Sequence, residues 1–599
     1  MRKSSTVTTG VPSCSGKLCV SAYSYFEMTG CSRFIAKFGL KDGCAYWRTL
    51  FPSEILRLCK GKGMEYERDQ ARLRYLMDMV PTDDEGESHD SDDDSEGEID
   101  MVEERDGGSE SEQEISDCEE EEEDDTIVAI AASFLGKDKK TIWMKHVPPK
   151  NVRTRSENIV KRLPISKLPT RCLQTPKDIF QFFIDDAMIA ILVENTNLYI
   201  QSISSKYARY RDARPTDTIE MRALLGLLLY AGVMKSSRLN VGELWKSDGS
   251  IIEILRLGMS IKRFLFLLRC LRFDNKDTRE ERTAIDKLAP IRNFFDLFVT
   301  KCKDGYSLSE YVTIDEKLEG FRGKCNFRQY IPTKPNRYGI KIFALSDAKT
   351  FYTGNLEVYV GQQPAGPYAV SNSPGDVVMR LCDEIKGSGR NVTMDNWFTS
   401  VPLVDTLLKN FKLTVIGTMR KNKGELPLEF SKPTHPVGAS MFGFTRNSIV
   451  CFIPKKKKNV LLISSLHHDD NIDIQSGKPE IILDYNATKG GVDTVDRLCA
   501  NYNVARNTRR WPMVVFYSVL NVTGINSFVV YCSNSPNPNL KRRKFLQRLA
   551  MDLIRPHLVV RATILNIPRT LRVSGTNTAP GNTVTPPEGQ IGRCRMLMH

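Results

Sequence analysis

Apolar positions first fall into a regular order after residue 170. Thr175, Pro176 and Asp178 make a helix start, and Ile179, Phe182, Phe183, Met188 and Ile189 follow at helical spacing. The same period returns at 220–234, 260–272 and 291–301, so an all-helical domain is expected over 171–305. The apolar stretch 223–234, bounded by Arg222 and Lys235, is too short to cross a bilayer and reads as a buried helix. From Tyr311 the period shortens to β-rich runs at 311–314, 341–345, 356–360, 392–394 and 413–416, with Ser400 capping a helix that carries Val404, Leu407 and Leu408. A mixed sheet with flanking helices, an α/β class, is the expected outcome. Val514, Val515, Tyr517, Ser518 and Val519 then predict a long buried helix.

Composition changes this picture at the N-terminal end. Residues 83–125 hold 25 Asp and Glu against the single basic residue Arg105, too few apolar groups to offset the entropy of ordering. The segment reads either as a disordered solubilising region or as an internal competitor with DNA for basic surface. With those residues set aside, 84 Lys and Arg face 48 Asp and Glu, an excess of +36 that suits a polyanionic partner. Fifteen cysteines without paired spacing, and a start lacking an apolar signal segment, point to an intracellular chain with reduced thiols and no membrane partner. Cys14, Cys19, Cys31, Cys44 and Cys59 in the extension 1–82 have no histidine or paired-cysteine spacing to make a zinc site, and 126–170 reads as a basic connector.

Four aspartates carry the candidate chemistry. Asp315 ends the apolar run 311–314, Asp395 ends 391–394, and Asp493 and Asp496 lie one helical turn apart in Gly-Gly-Val-Asp-Thr-Val-Asp. Brought together, they would repel and bind a hard divalent cation such as magnesium. The gaps are 80 residues from Asp315 to Asp395 and 98 from there to Asp493; the second is long enough to hold an inserted subdomain over 421–484. Arg322, Lys324, Arg328, Lys334, Arg337 and Lys341, interleaved with Phe321, Phe327, Tyr330 and Tyr338, form a candidate DNA-binding ribbon or a solvated strand over core aromatics. Trp397 and Trp511 suit packing or DNA wedging equally.

In Ile-Asp-Glu-Lys-Leu-Glu-Gly-Phe-Arg-Gly-Lys-Cys (314–325), Tyr-Ile-Pro-Thr-Lys-Pro-Asn-Arg-Tyr-Gly-Ile-Lys (330–341), Met-Asp-Asn-Trp-Phe-Thr-Ser (394–400) and Tyr-Asn-Ala-Thr-Lys-Gly-Gly-Val-Asp-Thr-Val-Asp (485–496), the chain resembles the piggyBac family of cut-and-paste DNA transposases. Leu-Arg-Phe-Asp-Asn (271–275) and Asn-Thr-Arg-Arg-Trp-Pro (507–512), with Arg509 and Arg510 as candidate DNA contacts, also match. The resemblance implies a ribonuclease H-like core in two parts, 306–420 and 485–535, interrupted by the insertion domain and preceded by a helical dimerisation and DNA-binding domain. It implies Asp315, Asp395 and Asp493 as a catalytic triad, Asp496 as a further required acid, two Mg2+ ions that Mn2+ can replace, a homodimer, double-stranded DNA partners, and insertion at TTAA through hairpin ends. Lys541, Arg542, Arg543 and Lys544 then read as a nuclear import signal.

Two features argue for restraint. His467, His468, Asp469 and Asp470 look like metal ligands but are expected in an exposed loop, and Lys455 to Lys458 suit a solvated face as well as a DNA contact or import signal. The region 536–599 is expected to lack the family's cysteine-rich zinc domain, because the partner of Cys594 two positions on would fall at Leu597, and 1–80 reads as an upstream fusion or gene-assembly error. The competing expectation is therefore a domesticated or defective derivative that binds DNA without transposing.

Overall fold

The computed structural model of the protein describes residues 103–104 and 132–564, apart from 150–158, 247–252, 333, 335, 433–434 and 536–539. The N-terminal cysteines, the acidic segment other than Glu103 and Glu104, and the tail with Cys594 lie outside the described residues.

Helix α1 (Pro176–Phe183) begins where Thr175 accepts the amide of Asp178, α2 (Asp186–Ile203) where Asp185 accepts that of Met188, and α3 (Thr218–Val233) where Asp217 accepts that of Glu220. Each such cap is worth about 1 kcal/mol. Helices α4 (Ile261–Cys270) and α5 (Arg292–Gly305) complete the predicted set. The α3 helix is buried almost all round, which is why its sequence reads as an unbroken apolar run. Part of its cover comes from far along the chain. Helix α10 (Arg542–Ala562) crosses it so closely that a Cβ on Gly226 would lie 2.8 Å from the Ala550 carbonyl oxygen.

The strands are β1 (Glu103–Glu104), β2 (Ser133–Leu135), β3 (Ile142–Met144), β4 (Ile165–Ser166), β5 (Tyr306–Ser307), β6 (Tyr311–Gly320), β7 (Gln329–Tyr330), β8 (Tyr338–Asp347), β9 (Thr353–Val358), β10 (Asn391–Met394), β11 (Thr414–Thr418), β12 (Ser440–Phe444), β13 (Ser448–Lys455) and β14 (Lys458–Ser464). All but β4 and β5 join one mixed sheet. At its centre β6, β8 and β9 run antiparallel, while β10 lies parallel to β6 and β11 parallel to β10. Segment 421–484 continues the same sheet as an antiparallel run of β14, β13 and β12 beside β11, with the Lys455–Lys458 run exposed at a hairpin tip. Within the expected connector, β2 and β3 form a hairpin that pairs with β12, anchored by fully buried Trp143, whose indole donates to the Glu425 carbonyl at 2.8 Å.

Helix α6 (Val401–Thr406) buries Leu403 and Val404 in the core, and α7 (Glu480–Thr488), α8 (Gly491–Asn501) and α9 (Trp511–Asn534) pack on the sheet or its continuation. Over its most apolar 18 residues α9 has a mean hydropathy of 1.7 and is long and apolar enough to cross a membrane, but 89% of that window is buried inside the protein, as befits a core helix. Asn526 on α9 both accepts from and donates to the backbone of Thr353 at 2.9 Å, tying the helix to β9 as another strand would. One continuous hydrophobic core runs from α1 through the sheet to α10.

Candidate active site

Asp315 was expected at a strand end, but β6 runs on to Gly320. The apolar alternation stops at Asp315 because one face of the strand turns polar: Thr313, Asp315, Lys317 and Glu319 share that face. Its partners come from distant helices. Thr313 donates to the Thr488 carbonyl at 2.6 Å, Lys317 to Asp496, and Glu319 accepts from Ser518 at 2.6 Å. Neighbouring β10 stops at Met394, opposite Ile314, so Asp315 emerges where its neighbour ends and Asp395 follows on the adjacent strand.

The third acid is delivered by a threonine clamp. Thr313 and Thr393 are register partners on β6 and β10, and both bind Thr488 at the end of α7, Thr393 through its hydroxyl at 2.7 Å. Three residues later Gly491 begins α8 against Thr313, where a Cβ would stand 2.4 Å from the threonine oxygen. Only glycine permits that approach, and it carries Asp493 to the two strand acids. Burial pushes the Asp315 carboxyl up to about 7; Lys334 and the Glu316 amide oppose the shift, and Asp395 and Asp493 add to it. Tyr485, whose hydroxyl is raised by burial, also feels Asp395, Asp315 and Asp493.

Lys334, expected along the DNA ribbon, turns inward instead. Its ammonium donates to the Glu316 carbonyl at 3.0 Å and reaches Asp493 at 3.4 Å. Asp496 is held by Lys317, which is only 1% exposed and also lies 3.4 Å from Glu319. The donor set of Asp315, Asp395 and Asp493 is chemically right for a hard divalent cation: oxygen ligands with too little positive charge among them. Among the described residues, no three His, Cys, Asp or Glu side chains are gathered tightly enough to make a preformed metal cage. The acids are thus neighbours, with a lysine beside them.

The remaining candidates separate into surface and interior. Arg322, Lys324 and Arg337 are exposed, and Arg328 lies over Tyr338, whose ring meets Tyr330 at 4.8 Å. The backbone of β1, from the acidic segment, pairs with β7 in this same region. Lys341 is buried with its ammonium 3.9 Å from the Tyr359 ring centre, and Phe321 and Phe327 belong to the core. Trp397 stacks on Phe343 and Trp511 meets Phe327 edge-on, so both pack. Arg509 is exposed, but Arg510 donates to the carbonyls of Arg269 and Leu271 at 2.6 and 2.5 Å, next to Arg272, itself 3.5 Å over the Tyr199 ring. The Leu-Arg-Phe-Asp-Asn and Asn-Thr-Arg-Arg-Trp-Pro blocks therefore form a joint between α4 and the start of α9. Lys541, Arg543 and Lys544 are exposed at the start of α10, whereas Arg542 donates to the Leu498 carbonyl at 2.9 Å. His467, placed in an exposed loop by its sequence, is largely buried and bridges Ser464 at 2.9 Å and Asp484 at 3.1 Å.

Local sequence gave no sign of the inward turn of Lys334 or of the Thr313, Thr393 and Thr488 clamp. Tyr485, Thr488 and Gly491 do stand in the block that holds Asp493, which is the one signal that could have singled them out.

A profile of the family described as Transposase IS4 matches residues 175–528. Among human proteins, PiggyBac transposable element-derived protein 3 is 21% identical over 360 residues, covering 57% of this chain and 58% of its own, and PiggyBac transposable element-derived protein 2 is 22% identical over 358 residues, covering 56% and 58%. The chain thus spans less than two thirds of the length of these relatives. PiggyBac transposable element-derived protein 5 is 20% identical over 412 residues, covering 65% of this chain and 77% of its own. A cryo-EM structure of a piggyBac transposase synaptic complex with hairpin DNA superposes with a TM-score of 0.66 and 36% identity, covering 71% of this chain and 89% of that one. By these matches the chain belongs to the piggyBac-type transposase family.

Proposed function

We propose that this protein is a metal-dependent DNA transposase of the cut-and-paste type, cleaving and rejoining strands at TTAA targets through hairpin ends. The observation that carries the reading is the delivery of Asp493, by the threonine clamp and Gly491, to Asp315 on β6 and Asp395 just past the end of the parallel strand β10. The central strand order β9-β8-β6-β10-β11, with only β8 antiparallel to its neighbours, supports a ribonuclease H-like core. Asp315, Asp395 and Asp493 would hold magnesium, which when bound activates a water or 3′-hydroxyl and stabilises the leaving oxygen. Lys334 balances their charge from the protein side. Arg322, Lys324, Arg328 and Arg337 would take DNA phosphates, with Tyr330 and Tyr338 as a platform for an unstacked base. The likeness to a synaptic complex with hairpin DNA supports a DNA partner. The protein would act as a homodimer, and Lys541, Arg543 and Lys544 would direct it to the nucleus.

A second reading, a DNA-binding derivative that does not transpose, draws on the likeness to human transposable element-derived proteins. An excision assay in cells, with a donor flanked by the element's own ends, separates the two. The first expects excision that restores TTAA and is abolished by Asp395→Asn. Absence of excision by the unaltered protein, with DNA binding intact, favours the second.

A further inference from the structure

At the opposite end of β10 from Asp395, a cavity of about 240 Å³ opens between the entry to α1, the end of α5 and the start of β10. From Arg390 to Asp395 the chain advances five residues, roughly 16 Å along a strand, so this cavity is separate from the aspartate centre. Its wall carries Lys161, Arg162, Lys167, Lys303, Lys386 and Arg390, against one carboxylate, Glu384. That carboxylate is already taken by Lys167 at 2.8 Å.

Arg390 is 3% exposed and has no carboxylate partner among the described residues. Its five hydrogen bonds, to the carbonyls of Leu308, Ser309 and Arg162 and the hydroxyl of Ser307, all use Nε or Nη2, so the donors of Nη1 remain. Carbonyl dipoles satisfy its N–H groups without cancelling its charge; Asp347 and Glu310 offset that charge only from beyond ion-pair distance, and burial still disfavours the charged form. The buried Ser388 hydroxyl in the same wall also has no hydrogen-bond partner among the described residues. Lys161 and Lys303 form no ion pair among the described residues. Six cations in the wall against one carboxylate that is already paired make the cavity suited to an anion. The volume lies below the roughly 300–1,000 Å³ of sites that take whole drug-sized molecules, and suits one or two phosphoryl groups.

We propose that this cavity is a phosphate-binding site, with Arg390 at its floor and Lys161 and Lys303 at its rim, filled either by backbone phosphates of DNA or by a free phosphate compound. The site does not depend on the catalytic reading, because neither Asp395 nor any residue near it takes part.

The test uses the full-length protein and Lys161→Ala/Lys303→Ala, a pair that spares the hydrogen bonds of Arg390. Melting is followed with increasing inorganic pyrophosphate in chelator, and duplex DNA affinity is measured across a salt series. The pair is expected to melt normally without ligand. If free phosphate fills the site, pyrophosphate stabilises the unaltered protein and the pair loses that response at least ten-fold in concentration. If DNA fills it, the pair lowers the salt slope of DNA binding by about two, one for each lysine. A pyrophosphate response and a salt slope both unchanged in the pair would overturn the proposal. So would a pyrophosphate response absent from the unaltered protein together with an unchanged slope.

Discussion

The buried ammonium of Lys317 on β6 is paired with the carboxylate of Asp496 on α8, one turn after Asp493. This pair fixes the helix that carries Asp493 against the strand that carries Asp315. Removing one partner of a buried pair costs about 3–5 kcal/mol, because the other charge is left without compensation. Lys317→Met is therefore expected to lower the denaturation midpoint strongly. Asp496→Asn should lower stability while divalent-cation binding, followed by calorimetry, stays unchanged; a large loss of binding in a protein of normal stability would instead make Asp496 a ligand.

The threonine clamp can be opened without touching an acid. Thr488→Val keeps the shape of the side chain and removes the hydroxyl that Thr393 meets at 2.7 Å. A buried hydroxyl left unpaired costs about 1–3 kcal/mol. Stability measured in urea should fall within that range, and excision should fall further than the stability loss explains, since only the Thr313 bond to the Thr488 carbonyl and the Gly491 contact then hold this turn to the strands.

Gly491→Ala would set a methyl group against the Thr313 oxygen, and the helix would have to retreat from β6. Overpacking of this kind costs about 1–3 kcal/mol. The variant is expected to fold and to lose metal binding and excision together; a variant of unchanged activity would show that the close approach is dispensable.

The metal-free protein should report Asp315 through its pH dependence. Its carboxyl titrates near 3.8 in the unfolded chain and near 7 in the native one, so the native state keeps a proton that the unfolded chain has released. The contribution of Asp315 to stability is thus full below about pH 4 and is lost as pH rises through 7. Thermal melts in chelator from pH 4 to 8 should show the difference between the unaltered protein and Asp315→Asn growing with pH, in favour of the variant. A pH-independent difference would place Asp315 in a setting unlike the one described.

Arg510 and Arg509 are neighbours with separate tasks. Arg510→Ala should destabilise the fold by loosening the hold on the carbonyls of Arg269 and Leu271, with little change in the salt slope of DNA binding. Arg509→Ala should leave melting unchanged and reduce that slope if the exposed guanidinium meets a phosphate.

Much of this arrangement could be read from local pattern. The helix start at Thr175 and the central strands lie where periodicity placed them, because one face of each meets apolar core and leaves a regular trace. Beyond Asp315 that trace vanishes: Lys317 and Glu319 on the polar face of β6 are answered by Asp496 and Ser518, 179 and 199 positions away, and no short window contains both halves of those bonds. The same distance hid the inward turn of Lys334, which lies 159 positions from Asp493. Arg510 and Lys341 show the converse limit, since a basic residue in a motif looks the same whether it faces a phosphate or clasps a carbonyl.

The order of synthesis gives α9 a further consequence. Every strand of the sheet precedes Trp511 in the chain, so a growing polypeptide holds all the strands before the helix that covers them has been made. Until α9 arrives, the apolar groove it will fill is open, and α9 itself leaves the ribosome as a 24-residue apolar segment resembling a membrane anchor. Maturation of this protein therefore passes through a window in which sheet and helix each need protection from the wrong partner. In the finished fold Asn526 holds the backbone of Thr353 and the groove is filled.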